Sequence, residues 1–206
     1  HLMNNYARLP IAFTHGTGAN LWDENGKQYL DALSGIAVCS LGHAHPAVTQ
    51  AITSQAAKLS HVSNVYRIPE QEALGQKLCE ISGMDRVFFS NSGAEANEAA
   101  IKLTRLHAHH SNRHEPVIAV VKGAFHGRTL ATVTATANAR AQRHFDPLLP
   151  GFERVPYNNL DAMRALAESN PQLVAIMVEP LQGEGGIIMP DAGYLTGLRE
   201  ICDKHD

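Results

Sequence analysis

Val87-Phe88-Phe89-Ser90-Asn91-Ser92-Gly93-Ala94-Glu95-Ala96-Asn97-Glu98-Ala99-Ala100-Ile101-Lys102-Leu103 is the stretch whose reading decides the fold. Val87 to Phe89 is an apolar, β-prone run and predicts a short buried strand. Asn91 and Ser92 are helix N-cap residues, and Gly93 lets a ligand come close to the backbone. From Ala94 onward helix formers dominate, with Glu95 and Glu98 in the first turns, where the helix dipole favours negative charge. A helix that starts at a Ser-Gly turn after a strand presents free N–H groups to an anion such as phosphate. The same residues also suit an ordinary strand-to-helix junction, and this stretch alone leaves both readings open.

Outward from there, apolar runs alternate with helical patterns. Pro116 to Val121 and Val174 to Val178 predict strands buried in a parallel sheet. Leu160 to Glu168 and Tyr194 to Lys204 predict helices, the second with Leu195, Leu198, Ile201 and Cys202 inward. Asn138 to Pro156 reads as irregular. Ligands of such sheets sit beyond the C-terminal ends of the strands. Those ends are Ser92-Gly93, Phe125 to Arg128 and Glu179 to Glu184, three polar loops expected on one side. Before Val87, Asn25-Gly26 predicts a hairpin turn within Ala19 to Asp31. Helices are expected from Pro46 to about Ser60, with Val48, Ile52 and Leu59 on one face, and from Pro69 to Ser82, with Leu74, Leu78 and Ile81 on one face.

The 206 residues are 44% hydrophobic and 18% charged, which suits a globular α/β protein. A net charge of -3 gives no reason to expect nucleic acid or a membrane surface as partner. Cys39, Cys79 and Cys202 form no CxxC pattern and read as reduced thiols of a cytoplasmic protein. His1 and Leu2, ahead of Met3, read as a tag remnant. The chain stops after a helix where the alternation calls for another strand, so a longer protein is expected.

Five segments together resemble the class III, fold type I pyridoxal-phosphate aminotransferases, nearest the acetylornithine aminotransferase group. They are Leu21–Val38, Leu41–Val48, Ser90–Arg105, Ala124–Thr136 and Val178–Gly186. The resemblance implies pyridoxal 5'-phosphate as cofactor and transfer of an amino group from N²-acetylornithine to 2-oxoglutarate in arginine biosynthesis, in a cytoplasmic homodimer. It implies that Ser92, Gly93 and Ala94 hold the cofactor phosphate, that Phe125 stacks on its ring, and that His126 lies beside it. Arg128 is implied to bind the substrate carboxylate, whose geometry a guanidinium fork matches. Glu184 is similar to the family's gating glutamate, which pairs with a second substrate-binding arginine, and Glu179 to a glutamate that supports the ring. Ser63 and Asn64 fall where relatives approach the substrate.

The same resemblance implies a division into an N-terminal segment at 3–60, part of a small domain and dimer arm, and an incomplete large domain at 61–206. The family's aspartate for the ring nitrogen and its cofactor-linking lysine are expected beyond Asp206, so transamination is expected of a longer parent. Ornithine aminotransferases have tyrosine where this chain has Asn20, which favours an N-acylated donor over free ornithine. Succinylornithine and succinyl-diaminopimelate remain open as donors. Two readings of other classes compete. One is a metal site among the twelve histidines, with His107, His110 and His114 at helical spacing near His109, against which no matching third ligand is found. The other is a non-catalytic phosphate-binding module.

Overall fold

The computed structural model describes residues 1–205; Asp206, the last residue of the expected large domain, lies outside the described residues. The chain forms two compact units, His1–Met84 and Asp85 onward. This boundary lies between residues 84 and 85, whereas the resemblance implies a division between residues 60 and 61.

In the first unit, strands β1 (Phe13–Thr17), β2 (Asn20–Asp23) and β3 (Gln28–Leu30) form an antiparallel meander. The predicted hairpin is β2–β3. Asp23 closes its turn, its carboxylate accepting from the Asn25 and Lys27 amides at 2.9 Å each, and Gly26 takes φ +76°. The turn α1 (Ser34–Ala37) has positive φ at Gly35 and Ile36. Helices α2 (Pro46–Ala56) and α3 (Pro69–Ser82) each start with proline in the first turn, and α3 stops at a left-handed Gly83. The faces expected to be inward are open, with Ile52 64% and Ile81 69% exposed.

The second unit begins with a correction. Val87 to Phe89 is not a strand, and Phe88 is 75% exposed. A strand is defined by a hydrogen-bonded neighbour, and among the described residues this segment has none. Helix α4 (Gly93–His110) follows as predicted, capped by Ser92. The sheet has the order β5-β4-β6, all parallel, from β4 (Val117–Val121), β5 (Phe152–Val155) and β6 (Leu173–Met177). Strand β5, inside the stretch read as irregular, carries two charges in four residues and takes its strand character from pairing with β4.

Both faces of β4 are covered, which explains its unbroken apolar run. Ala119 and Val121 pack with Met163 of α7 (Leu160–Ser169) and with Tyr194, Leu198 and Ile201 of α8 (Tyr194–His205). Ile118 and Val120 alternate to the other face, onto Ile101 of α4 and Ala131 and Ala135 of α5 (Leu130–Ala135). Leu195, expected inward on α8, is 40% exposed. The turn α6 (Ala139–Gln142) leads towards β5. Asn159 caps α7 by accepting from the Ala162 amide at 2.8 Å. Asn159→Ala is expected to cost about 1 kcal/mol in urea unfolding; an unchanged midpoint would show that the cap contributes nothing.

Candidate active site

The site is built at the C-terminal ends of β4 and β6, where the chain leaves the sheet in two loops beside the start of α4. The Ser92 hydroxyl accepts from the Glu95 amide at 3.2 Å, and the Glu95 carboxylate reaches back to the Asn91 amide at 2.6 Å. The first contact satisfies one first-turn donor of the helix, and the second ties the residue before the cap to it. The Gly93 and Ala94 amides donate to no protein acceptor among the described residues, and a Cβ on Gly93 would meet nothing within 4 Å. They form an open pair of donors at the positive end of an 18-residue helix.

The loop after β4 is tied to α4 by three contacts. Asn97 Nδ2 donates to the His126 carbonyl at 2.8 Å. The Thr129 hydroxyl donates to the Glu98 carboxylate. Gly127 lies so close that a Cβ there would be 3.0 Å from Ala94 Cβ. Asn97 and Glu98 were legible only as helix formers, because their partners lie about thirty residues away.

Glu179 joins the two loops. One carboxylate oxygen accepts from the Phe125 amide and the other from the Gly183 amide, each at 2.9 Å. Arg128 lies over the Phe125 ring, 5.5 Å from its centroid, and reaches Glu184 at 3.3 Å. Both side chains of that pair are at least half exposed. Glu184, which the resemblance pairs with a second arginine in one half-reaction, meets Arg128 in this structure. Ser92, Gly93, Ala94, Phe125, His126, Arg128, Glu179 and Glu184 thus belong to one cluster. Ser63 and Asn64 belong to the first unit, where Ser63 has φ +65° and Asn64 Oδ1 accepts from Gln71 Nε2 at 3.4 Å.

His126 is 5% exposed, with its amide donating to Thr136 Oγ1 at 2.9 Å and its Nε2 without a protein partner. Burial pushes the imidazole below its ordinary pKa, and the nearby Glu179 charge opposes this only partly. An unfolded chain takes up the proton that the buried ring resists. Stability from neutral His126 is therefore complete above the ordinary histidine value, about 6.5, and is lost as pH falls through it. Urea midpoints are expected to fall from about pH 8 to about pH 5, and to fall less in His126→Gln. Equal slopes in the two proteins would place the acid sensitivity elsewhere.

Among the described residues no group of three His, Cys, Asp or Glu side chains is placed to hold a metal ion. His109 meets His110 and His114 only through ring edges. Among the described residues no helix is long and apolar enough to cross a membrane.

Residues 2–206 match the family model described as aminotransferase class-III. The chain is 54% identical over 205 residues to an acetylornithine aminotransferase of Nitrosomonas europaea, covering 100% of this chain and 52% of that protein. It is 53% identical to the acetylornithine aminotransferase of a Synechocystis species, covering 100% of this chain and 49% of the relative. Among solved structures, ornithine aminotransferase from Toxoplasma gondii superposes with a TM-score of 0.94 at 32% identity, covering 100% of this chain and 49% of that one. N-acetylornithine aminotransferase from Stenotrophomonas maltophilia gives 0.82 at 35% identity, covering 98% and 50%. The chain spans about half the length of the curated relatives it matches.

Proposed function

The chain belongs to the class-III aminotransferase family, and from that premise we propose that the protein containing it moves the δ-amino group of N²-acetylornithine to 2-oxoglutarate. The observation that carries this reading is the gathering of an open helix start, a ring and an arginine–glutamate pair at the ends of β4 and β6. The names of the relatives supply the donor. Asn20, which accepts from Gln28 Nε2 at 2.9 Å, stands where the resemblance places tyrosine in ornithine-specific enzymes.

The residues present fit pyridoxal 5'-phosphate. The unpartnered Gly93 and Ala94 amides match a phosphate, and no side chain fills the space beside Gly93. Phe125 supplies an aromatic face and His126 a buried polar edge with a free nitrogen. When bound, the cofactor supplies the electron sink for amino-group transfer.

The chain's own residues orient the substrate. Arg128 takes the carboxylate common to donor and acceptor through its planar fork. Its single exposed contact with Glu184 is weak enough to be exchanged for that carboxylate. Glu184 is then left unpaired as an exposed charge on its loop. Glu179 holds the Phe125 amide, and with it the ring, at a set height above the sheet.

We further propose a cytoplasmic homodimer. The first unit leaves Ile36, Val38 and Val65 each more than three-quarters exposed, a surface that a second copy would cover. The test is a coupled assay of the protein at its relatives' full length, with acetylornithine, succinylornithine, ornithine and γ-aminobutyrate as donors, and light scattering for mass. Acetylornithine is expected to give the highest kcat/KM. Preference for ornithine or γ-aminobutyrate would refute the substrate assignment.

A further inference from the structure

Gln182 is an amide buried without any exposure, on the loop that carries Glu184. Its Nε2 donates at 2.9 Å to the carbonyl of Lys122, the residue that follows β4. Its main chain pairs with Ile188 in both directions, at 3.0 and 2.9 Å, which pinches residues 183–187 into a closed loop. Its Oε1 has no protein donor and rests between two bare glycines. A Cβ on Gly123 would lie 2.8 Å from Oε1, and one on Gly185 would lie 3.2 Å from it. A Cβ on Gly185 would also run into the Gly123 carbonyl. One side chain therefore clamps the exit of β4, just before Phe125 and Arg128, to the base of the Glu184 loop.

The amide is matched to this place. Glutamate would set a carboxylate oxygen against the Lys122 carbonyl, methionine has the length but no donor, and asparagine is one methylene short. Burying a polar group costs free energy unless it is used, and here the donor is used across sixty residues. We propose that Gln182 is a positioning residue, which sets the separation of Arg128 and Glu184 and so the ease with which Arg128 passes from Glu184 to a substrate carboxylate. This rests on the carboxylate-anchor role given to Arg128 above.

The test is a double-mutant cycle in the protein at its relatives' full length. Gln182→Met and Glu184→Gln are combined, and calorimetry follows binding of glutarate, a dicarboxylate probe, alongside KM and kcat for 2-oxoglutarate. Gln182→Met in the wild-type background is expected to change glutarate affinity and KM about five- to ten-fold, with kcat changed much less. In the Glu184→Gln background the same substitution is expected to change neither, since the pair it sets is gone. A general structural role would instead lower both backgrounds equally, and equal effects overturn the proposal. Should Gln182→Met fail to fold, Gly185→Ala disturbs the same clamp from the other side and is read in the same cycle. A wild type that binds glutarate but does not use acetylornithine refutes the substrate assignment and leaves the cycle readable. A wild type that does not bind glutarate overturns the anchor role and this proposal together.

Discussion

In the protein at its relatives' full length, Arg128→Ala is expected to lower kcat/KM for acetylornithine and for 2-oxoglutarate together, by about 30- to 800-fold, or roughly 2–4 kcal/mol. The two losses are expected together because, on the proposed function, one guanidinium serves the carboxylate that donor and acceptor share. What Arg128 gives up on release from Glu184 is small, since the contact is single, 3.3 Å long and half exposed. What it gains is a fork that fits a carboxylate with two parallel hydrogen bonds. Arg128→Lys is therefore expected to recover only part of the loss, as an ammonium keeps the charge but not the fork. The Phe125 ring under the guanidinium adds a cation–π contact that lysine holds less firmly. Steady-state kinetics with each substrate varied in turn checks this. A loss confined to one substrate would show that Arg128 serves one half-reaction, and no loss would remove it from the site.

Gly127→Ala is expected to destabilise the protein by roughly 2–4 kcal/mol, through backbone strain and overpacking together. Gly127 has φ +136°, a conformation that alanine rarely adopts. Its Cβ would lie 2.6 Å from Thr132 Oγ1 and 2.9 Å from Thr132 Cβ. Thr132 cannot yield easily. It is fully buried, and its hydroxyl accepts from the Thr129 amide at 3.0 Å and shares a hydrogen bond with the Thr129 hydroxyl. The third neighbour is Ala94 in the first turn of α4, so the clash is also expected to push the Arg128 loop away from the open Gly93 and Ala94 amides. Urea unfolding is expected to show a lower midpoint at unchanged slope, and titration with pyridoxal phosphate a weaker affinity. A midpoint within about 0.5 kcal/mol of wild type would mean that the loop moves aside freely.

The start of α4 was legible because its chemistry is local: Ser92 caps the helix it precedes. The roles of Phe125 and Arg128 were implied only by the family resemblance. What those residues lean on was not legible. From its own neighbours Glu179 is a strand-end carboxylate, given a ring-supporting role by the resemblance alone, until the fold sets the Phe125 amide against it, fifty-four residues away in sequence. Gln182 reads as one more polar loop residue until the Lys122 carbonyl is seen beneath it. The Arg128–Glu184 contact was not legible either, because which cation a carboxylate meets depends on the approach of two loops that share no sequence neighbourhood.

By itself the sequence determined the elements whose signals lie within a few residues. Proline at the first turn and a left-handed glycine bound α3, Ser92 starts α4, and Asn25-Gly26 turns the β2–β3 hairpin. It also determined that β4 and β6 are strands, since apolar runs that short suit a covered sheet. Only the tertiary structure decided the rest. Phe152-Glu153-Arg154-Val155 becomes β5 because β4 offers it a ladder, while the more apolar Val87 to Phe89 stays outside any sheet among the described residues for want of one. A helix carries its hydrogen bonds within itself and can be read from its own residues; a strand, like a site, is completed by groups distant in the chain.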